Sequence, residues 1–257
     1  MLRPRVIVCL DVKDGEVVKG KQFKDLRNVG DPVQLAAQYE AEGADEIVFL
    51  DVSASKENRG TLLDIVRRTA ETLFIPLTVG GGVRSVDDID LLLRAGADKV
   101  SINSAAIHDP DLLSFGAKRF GSQCIVASID VAAERGLWHC YTHGGSEPTK
   151  LEAIQWATKC EQLGAGEILL TSIDQDGARN GYDLDLTKAV VAALSVPVIA
   201  SGGAGQAEHL RDAFTCGKAS AALVAGILHD GITTVRNLKS ALIDWGINVR
   251  LTEAGKP

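Results

Sequence analysis

The chain lacks the features that mark secreted, membrane-spanning and metal-binding proteins. No apolar run is long enough to span a bilayer, and the segment MLRPRVIVCLDV has neither the apolar length nor the cleavage pattern of a signal peptide. The cysteines are odd in number, and no pair shows CxxC or Cys/His ligand spacing. They occupy positions 9, 124, 140, 160 and 216. We therefore expect reduced thiols in a cytoplasmic protein, without a disulfide framework or a zinc site.

An excess of positive charge is also missing. The 257 residues carry a net charge of −7, which argues against general binding to nucleic acid or to a membrane but leaves room for local basic pockets. The sequence contains no P-loop, no GxSxG nucleophile motif and no metal-spaced histidine cluster, so no metal and no cofactor are expected. Its 46% hydrophobic and 24% charged residues are typical of a soluble globular protein.

What the chain does contain is an internal repeat. Residues 43–60 (GADEIVFLDVSASKENRG) align with 164–181 (GAGEILLTSIDQDGARNG) at an offset of 121, that is 164 − 43. The same offset carries the glycines at 81–82 onto those at 202–203. A similarity that keeps one offset over successive elements predicts a duplicated half, in which chemistry found in one half has a counterpart in the other.

Short apolar runs alternate with amphipathic segments along the whole chain. The predicted strands are 5–10, 46–51, 76–79, 99–103, 124–130, 167–172, 197–201 and 220–225. The predicted helices lie near 32–43, 61–73, 86–95, 110–119, 150–163, 185–194, 206–216 and 232–245. This order predicts an α/β fold, a (β/α)₈ barrel in one domain, 1–257, built from half-barrels at roughly 1–122 and 123–257. A doubly wound open sheet is the alternative.

Strand alternation predicts a charged ring at the amino-terminal mouth of this barrel. Side chains along a barrel strand point alternately into the barrel and toward the helices. The first inward positions of four strands are Arg5, Glu46, Lys99 and Glu167. Because unpaired charges there would be costly, the alternating signs suggest mutual pairing. From the residues alone, a salt-bridged plug and a functional ring are both open.

Two connections are longer than loops usually are. Residues 12–31 (VKDGEVVKGKQFKDLRNVGD) predict a loop of about twenty residues, whose glycines and lysines suit a mobile lid over an anionic ligand. Residues 131–149 (VAAERGLWHCYTHGGSEPT) predict a small hairpin, which is either a decoration or a functional loop.

Two glycine-rich turns are expected at the carboxyl ends of the strands, where barrels of this type place their active sites. They are TVGGGVRS (78–85) and ASGGAG (200–205). Glycines in such turns let backbone N–H groups approach a phosphate. The next strand after each turn ends in two further residues that are expected at the same phosphate site, Asn103-Ser104 in the first half and Ala225-Gly226 in the second. The repeat thus predicts a long ligand with a phosphate at each end, unless the glycines serve tight geometry alone.

Acidic residues follow the strands at the same mouth. Asp11 and Asp130 occupy equivalent strand ends and could act as general acid and general base on opposite sides of such a ligand. The alternative is an aspartate that only caps or hydrogen-bonds at a strand end. Asp176 and Gly177 could bind hydroxyls or a phosphate, although a DG pair is also ordinary turn chemistry.

Over essentially its whole length the sequence resembles the cyclase family of imidazole glycerol phosphate synthases. The resemblance is carried by a set of motifs in order, namely CLDVKDGEVVKG (9–20), FLDVSAS (49–55), TVGGGVRS (78–85), GADKVSINSAA (96–106), FGSQCIV (120–126), GAGEILLTSIDQDGARNGYD (164–183) and IASGGAG (199–205). It implies a (β/α)₈ enzyme of histidine biosynthesis. The implied substrates are a phosphoribulosyl-formimino aminoimidazole carboxamide ribonucleotide, which bears two phosphates, and ammonia.

The resemblance also implies residue roles. Asp11 and Asp130 would be the catalytic acid/base pair. The substrate- and phosphate-binding positions would be Lys19, Gly82, Asn103, Ser104, Thr171, Asp176, Gly177, Ser201, Gly203, Ala225 and Gly226. Gly226 stands where many members have serine, which removes one hydroxyl contact to a phosphate. The segment 131–149 matches weakly, so no role is implied there.

A partner is implied as well. The family's cyclase receives ammonia from a separate glutaminase docked at the amino-terminal face, and Asp98 matches an interface position there. The ring of Arg5, Glu46, Lys99 and Glu167 matches the family's ammonia gate. The competing interpretations are the paralogous isomerase of the same pathway, which needs no ammonia gate, and a non-catalytic barrel that binds a bisphosphate.

Overall fold

The computed structural model describes residues 3–21, 24–52 and 59–251. Positions 53–55 of the FLDVSAS motif and 22–23 of the first long connection lie outside these ranges. The strands are β1 (Arg5–Lys13), β2 (Glu16–Lys21), β3 (Lys24–Gly30), β4 (Glu46–Asp51), β5 (Leu77–Gly80), β6 (Lys99–Ile102), β7 (Ile125–Glu134), β8 (Leu137–Thr142), β9 (Glu147–Glu152), β10 (Glu167–Ser172), β11 (Val198–Ser201) and β12 (Ala221–Val224).

Helices follow the barrel strands. They are α1 (Pro32–Glu42), α2 (Arg59–Ala70), α3 (Val86–Arg94), α4 (Ser104–His108), α5 (Asp111–Phe120), α6 (Ala153–Gln162), α7 (Leu184–Ala193), α8 (Ala207–Thr215), α9 (Gly226–His229) and α10 (Val235–Asp244). Their starts follow from the sequence. Asp31 caps α1, whose first residue is Pro32, and Ser85 forms a capping box with Asp88 at α3. None of these helices is long and apolar enough to cross a bilayer.

Eight parallel strands close into a barrel. Their order around the ring is β1, β4, β5, β6, β7, β10, β11 and β12, with β12 paired to β1 and β7 paired to β10. Closure confirms the (β/α)₈ fold and rules out the open sheet. Because the barrel is closed, alternate side chains of each strand point into the barrel or toward the helices, and the apolar ones form two separate layers.

These layers are distinct in the packing. Val6, Val8 and Leu10 of β1 belong to the large core between strands and helices. Ile7 and Cys9 of the same strand belong to a smaller cluster that fills the barrel interior. The division of faces predicted from alternation is therefore correct along this strand.

Both long connections form antiparallel extensions of a barrel strand. β2 pairs with β1 and β3 with β2, while β8 pairs with β7 and β9 with β8. The prediction of a twenty-residue loop at 12–31 was wrong in its described part, because Asp14 and Gly15, at φ 50° and 91°, form a two-residue hairpin turn. The hairpin predicted within 131–149 is confirmed, and its turn at Arg135 and Gly136 has φ values of 51° and 82°.

The two short helices α4 and α9 were not predicted. Each follows a barrel strand directly, β6 or β12, and precedes the longer helix that packs outside the barrel. Pro110 is the N-cap of α5, so that helix begins one residue later than predicted, and Asp109 closes α4 instead.

The internal repeat recurs in the positions of the elements. β4 and β10 begin at Glu46 and Glu167, an offset of 121, and β5 and β11 begin at Leu77 and Val198, the same offset. The half-barrel boundaries at 1–122 and 123–257 stay a prediction.

Candidate active site

The mouth at the carboxyl ends of the strands carries two aspartates on opposite sides. Asp11 lies on β1 and Asp130 on β7. Three barrel strands separate β1 from β7 in either direction around the ring. The two carboxylates therefore lie at opposite ends of a diameter of the barrel mouth.

The surroundings of both carboxyls raise their pKa values. Burial, together with the charge of Asp176, raises the pKa of Asp11 and of Asp130 from the ordinary 3.8 to about 7. Hydrogen bonds oppose this shift: Cys9 Sγ lies 3.9 Å from Asp11 Oδ1, and Asn103 Nδ2 donates to Asp130 Oδ2 at 2.8 Å. A carboxyl with a pKa near 7 can both accept and release a proton at neutral pH.

The turn after β10 supplies the third carboxylate. Burial raises the pKa of Asp176 above its ordinary value, and a hydrogen bond from the Gly177 N–H offsets only part of this increase. Gly177 has φ 73°, in the region that favours glycine. The DG pair is thus ordinary turn chemistry and, in addition, places an acidic group close enough to influence both catalytic candidates.

The first predicted phosphate site is formed by neighbouring strand ends. Gly82, at φ 63°, lies in the turn after β5, and Asn103 is the N-cap of α4, which begins at Ser104. The preceding Gly81 has φ 92°, and a Cβ there would lie 2.7 Å from the Asp51 backbone nitrogen. Only glycine lets this turn lie against the end of β4.

The second predicted site repeats this arrangement after β11 and β12. Gly202 has φ 88°, and a Cβ there would lie 2.5 Å from the Ser172 carbonyl oxygen. Gly203 has φ 106°, and Ala225 is the N-cap of α9, which begins at Gly226. The close contact between turn and strand at Gly81 recurs 121 residues later at Gly202, so the two sites have the same backbone geometry.

The two sites lie across the mouth from each other. β5 and β6 are opposite β11 and β12 in the closed ring, and β1 and β7 occupy the positions between them. A ligand with a phosphate at each end would therefore pass between Asp11 and Asp130. Thr171 neighbours both Asp130 and Ser201 in register, so these two hydroxyls lie on the same stretch of the rim.

The four charged residues predicted at the opposite mouth form a closed ring. Arg5 Nη1 lies 2.9 Å from Glu46 Oε2, and Arg5 Nη2 contacts Glu167 Oε1. Lys99 Nζ lies 2.9 Å from Glu46 Oε2 and 2.8 Å from Glu167 Oε2. Burial alone would raise the pKa of Glu167, but Arg5 and Lys99 outweigh it and lower the pKa. Each cation of the ring pairs with both glutamates, which confirms the mutual pairing predicted from the sequence.

Between the ring and the aspartates the barrel interior is mostly apolar, although Ser101, which shares the inward face of β6 with Lys99, is also buried there. The residues that fill it are Ile7, Cys9, Val48, Val126, Leu169, Ile199, Ala221 and Leu223. Such a lining disfavours any charged species and is far less costly for a small neutral molecule.

Comparison with known proteins identifies the family. The model for the histidine biosynthesis protein family matches residues 5–234. The imidazole glycerol phosphate synthase subunit HisF of Myxococcus xanthus (strain DK1622) is 65% identical over 250 residues, which cover 97% of this chain and 99% of that protein. HisF of Prochlorococcus marinus (strain NATL1A) is 55% identical over 256 residues, covering 98% and 100%. The chain belongs to the histidine biosynthesis family. The resemblance to the cyclases of imidazole glycerol phosphate synthase is thus confirmed.

In this family member each antiparallel extension contacts one of the short helices. Lys19 Nζ, on β2, donates to the Gly226 carbonyl oxygen at 2.9 Å. The backbone N–H of His143, in the β8–β9 turn, donates to Ser104 Oγ at 2.9 Å. The segment 131–149, to which no role was assigned from sequence, therefore touches the first predicted phosphate site.

Other residues of the site were missed by sequence reasoning. Thr78 Oγ1 donates to Glu46 Oε1 at 2.6 Å and supports the ring, and alternation along β5 could have indicated it. Asp230 contacts three basic side chains beside α9, and nothing in its local sequence signals this. Within the described ranges, no three His, Cys, Asp and Glu side chains gather closely enough to hold a metal ion.

The amino-terminal face of this family member has an open cavity beside the ring. It has a volume of about 310 Å³ and is lined by Ala70, Leu73, Phe74, Ile75, Pro76, Leu77, Gly96 and Asp98. Phe74 is 94% exposed, an unusual state for a phenylalanine. The Asp98 carboxylate accepts the Leu77 N–H at 2.8 Å, which orients it at the edge of the cavity.

Proposed function

We propose that the protein is the cyclase subunit of an imidazole glycerol phosphate synthase, a lyase of histidine biosynthesis. It would convert phosphoribulosyl-formimino aminoimidazole carboxamide ribonucleotide and ammonia into imidazole glycerol phosphate and aminoimidazole carboxamide ribonucleotide. Family membership supports the cyclase assignment, and the geometry of the mouth supports the detailed roles below.

The observation that carries this proposal is the crossed arrangement at the mouth. Asp11 and Asp130 lie on one diameter with pKa values of about 7, and two glycine-built turns lie on the other. A substrate with two phosphates is held by its ends in this arrangement, while its middle lies between two carboxyls that can exchange protons. General acid and general base catalysis require such groups on both sides of the reacting centre.

Proton transfers at both ends of the reacting segment explain why two carboxyls are needed. Ammonia adds to the ribulosyl carbonyl carbon, and loss of water gives an imine. The new nitrogen then closes the ring at the formimino carbon as that carbon's bond to the carboxamide ribonucleotide breaks. One carboxyl protonates the departing oxygen or nitrogen while the other accepts a proton from the incoming nitrogen. Asn103, which donates to Asp130, orients that carboxyl for its role.

Ammonia would reach this centre through the barrel. The ring of Arg5, Glu46, Lys99 and Glu167 closes the amino-terminal mouth, and a mostly apolar interior separates it from Asp11 and Asp130. A neutral ammonia molecule crosses such a lining far more readily than an ammonium ion or water-borne solute. Opening the ring means parting ion pairs in which Glu46 is 1% exposed, so the ring admits ammonia only when something shifts it.

A glutaminase subunit is the partner that would supply the ammonia. Exposed Phe74 and the 310 Å³ cavity that it helps to line form a contact region, and Asp98 adds a charged group at its edge. Aromatic residues beside a pocket are typical of the few positions that dominate a protein interface. Both subunits would work in the cytoplasm, where the cysteines of this chain stay reduced.

The cyclase assignment is tested with ammonia supplied directly. The purified chain is incubated with the bisphosphate substrate and an ammonium salt at alkaline pH, where free ammonia is present. We expect imidazole glycerol phosphate from the unmodified protein, and a kcat at least about 100-fold lower in Asp11→Asn and Asp130→Asn. Asp244→Asn, an exposed change at the end of α10, is the control and should leave the rate unchanged. No product from the unmodified protein would overturn the assignment, and conversion of the ribosyl precursor would favour the isomerase.

The docking region is tested separately. Phe74→Ser should abolish assembly with the glutaminase in size-exclusion chromatography and leave the ammonia-dependent rate intact. Phe115→Ser, which removes a 55% exposed phenylalanine of α5, is the matched control. Equal assembly by both variants would place the partner elsewhere.

A further inference from the structure

One carboxylate beside the second predicted phosphate site holds three cations. Lys19 Nζ and Arg179 Nη2 contact Asp230 Oδ2, and Arg27 Nη2 contacts Asp230 Oδ1. The cations come from β2, β3 and the turn between β10 and α7, and Asp230 is the C-cap of α9. One side chain thus joins the β2–β3 hairpin, the turn after β10 and α9, which lie far apart in sequence.

The hairpin β2–β3 presents its two cations together. Lys19 and Arg27 are cross-strand neighbours, so their side chains leave the same face of the hairpin. Lys19 also donates to the Gly226 carbonyl oxygen at 2.9 Å. The contact with Asp230 therefore attaches the hairpin to the helix that begins at the predicted phosphate site.

The charges at this place do not balance. Three cations face one carboxylate, which leaves these four side chains with a net charge of +2 at the start of α9, where a Cβ on Gly226 would lie 3.3 Å from Lys19 Nζ. Asp230 is ionised at any working pH, because its hydrogen bond with Lys19, despite partial desolvation, lowers its pKa to about 2. A phosphate dianion would match the unbalanced charge, and it would also repel the carboxylate that already uses these cations.

We propose that Asp230 is a built-in competitor of the ligand phosphate at this site, holding Lys19, Arg27 and Arg179, and with them the hairpin β2–β3, until a phosphate replaces it. Asp230 therefore lowers the affinity for phosphate while keeping the empty hairpin attached to α9. The inference rests on the proposed function only in taking the turn at Gly203 and Gly226 as a phosphate site.

The first readout is phosphate affinity. Inorganic phosphate is titrated calorimetrically into the unmodified chain, Asp230→Asn and the control Asp244→Asn, at one low ionic strength because salt screens exposed charges. We expect Asp230→Asn to bind about three- to five-fold more tightly, the scale of an exposed charge interaction, and the control to match the unmodified chain. Adding Arg179→Gln to Asp230→Asn should remove the gain, which assigns it to this site.

The second readout is hydrogen exchange of the hairpin backbone, residues 16–21 and 27–30. Without phosphate, exchange should be faster in Asp230→Asn than in the control, because Lys19 and Arg27 lose the carboxylate that attaches the hairpin to α9. Saturating phosphate should return the exchange of Asp230→Asn to the level of the unmodified chain. A purely structural role for Asp230 would give fast exchange that phosphate does not correct.

Any of three results overturns the inference: phosphate binding in folded Asp230→Asn that is unchanged or weaker, no phosphate binding by any variant, or fast hairpin exchange in Asp230→Asn that saturating phosphate does not correct. These readouts need no catalysis. If they behave as expected and no imidazole glycerol phosphate forms, the proposed function fails and the role of Asp230 stands.

Discussion

Replacing Asp130 by asparagine should make the folded protein more stable above neutral pH, although it removes a candidate catalytic group. The carboxyl is buried near Asp176, and its pKa in the folded state is about 7 instead of 3.8. The substituted amide has nearly the same shape and its oxygen still accepts the hydrogen bond from Asn103 Nδ2. The change therefore removes an unfavourable charge while keeping the packing.

The size and pH range follow from proton linkage. Between pH 3.8 and about 7 the folded carboxyl keeps its proton while the unfolded one loses it, so the stability of the unmodified protein falls as pH rises through this window. Above pH 7 the loss is complete. The free energy of unfolding of Asp130→Asn should exceed that of the unmodified chain by about 2 kcal/mol at pH 5 and about 4 kcal/mol at pH 8.

Urea unfolding at pH 5 and pH 8, followed by circular dichroism, measures both values. Asp244→Asn, which changes the same charge at an exposed position, should show no such difference between the two pH values. An Asp130→Asn variant that gains less than about 1 kcal/mol on going from pH 5 to pH 8 would refute a strongly raised pKa. The proposed acid/base role would then lose its electrostatic basis.

Three further results are expected. Lys99→Met should lower the free energy of unfolding by about 3 kcal/mol, because two buried glutamates lose a partner, and should weaken the coupling of glutaminase turnover to product, measured as product formed per glutamine consumed. Gly202→Ala should destabilise the protein by at least about 2 kcal/mol more than Gly231→Ala in urea unfolding; both have positive φ, but only Gly202 would bring a Cβ within 2.5 Å of a carbonyl oxygen. Asn103→Leu should raise the pKa of Asp130 further, because it removes a hydrogen bond that lowers this pKa, and the pH–rate profile of kcat should move to higher pH.

The sequence predicted the elements that depend on local patterns. The eight barrel strands and the caps at Asp31 and Ser85 were placed correctly, because period-two alternation and capping chemistry act over a few residues. The hairpin at 12–31 was missed because its lysines and glycines were interpreted as a lid, although Asp14-Gly15 is itself a hairpin-turn signal. The short helices α4 and α9 were missed because four or five residues carry no periodicity.

Some residues of the site could likewise be predicted from the sequence, and others could not. Asp11, Asp130 and the glycine turns could be predicted because the repeat displays each feature twice along the chain. The cations around Asp230 could not, since Lys19, Arg27, Arg179 and Asp230 share no spacing and meet only through the closed barrel. Asp176 was predicted as a binding residue, but its electrostatic effect on Asp11 and Asp130 was not, because it follows a different strand from either.

By itself the sequence determined the fold class, the family and the identity of the paired chemical groups, because these follow from local periodicity and from a repeat visible as spacing. Tertiary structure alone decided what those groups do to one another. Ring closure placed Asp11 opposite Asp130, joined Arg5, Glu46, Lys99 and Glu167 into one ion-pair circuit and buried the aspartates enough to raise their pKa values to about 7. Electrostatic interaction and desolvation depend on distance and burial in three dimensions, and separation along the chain encodes neither.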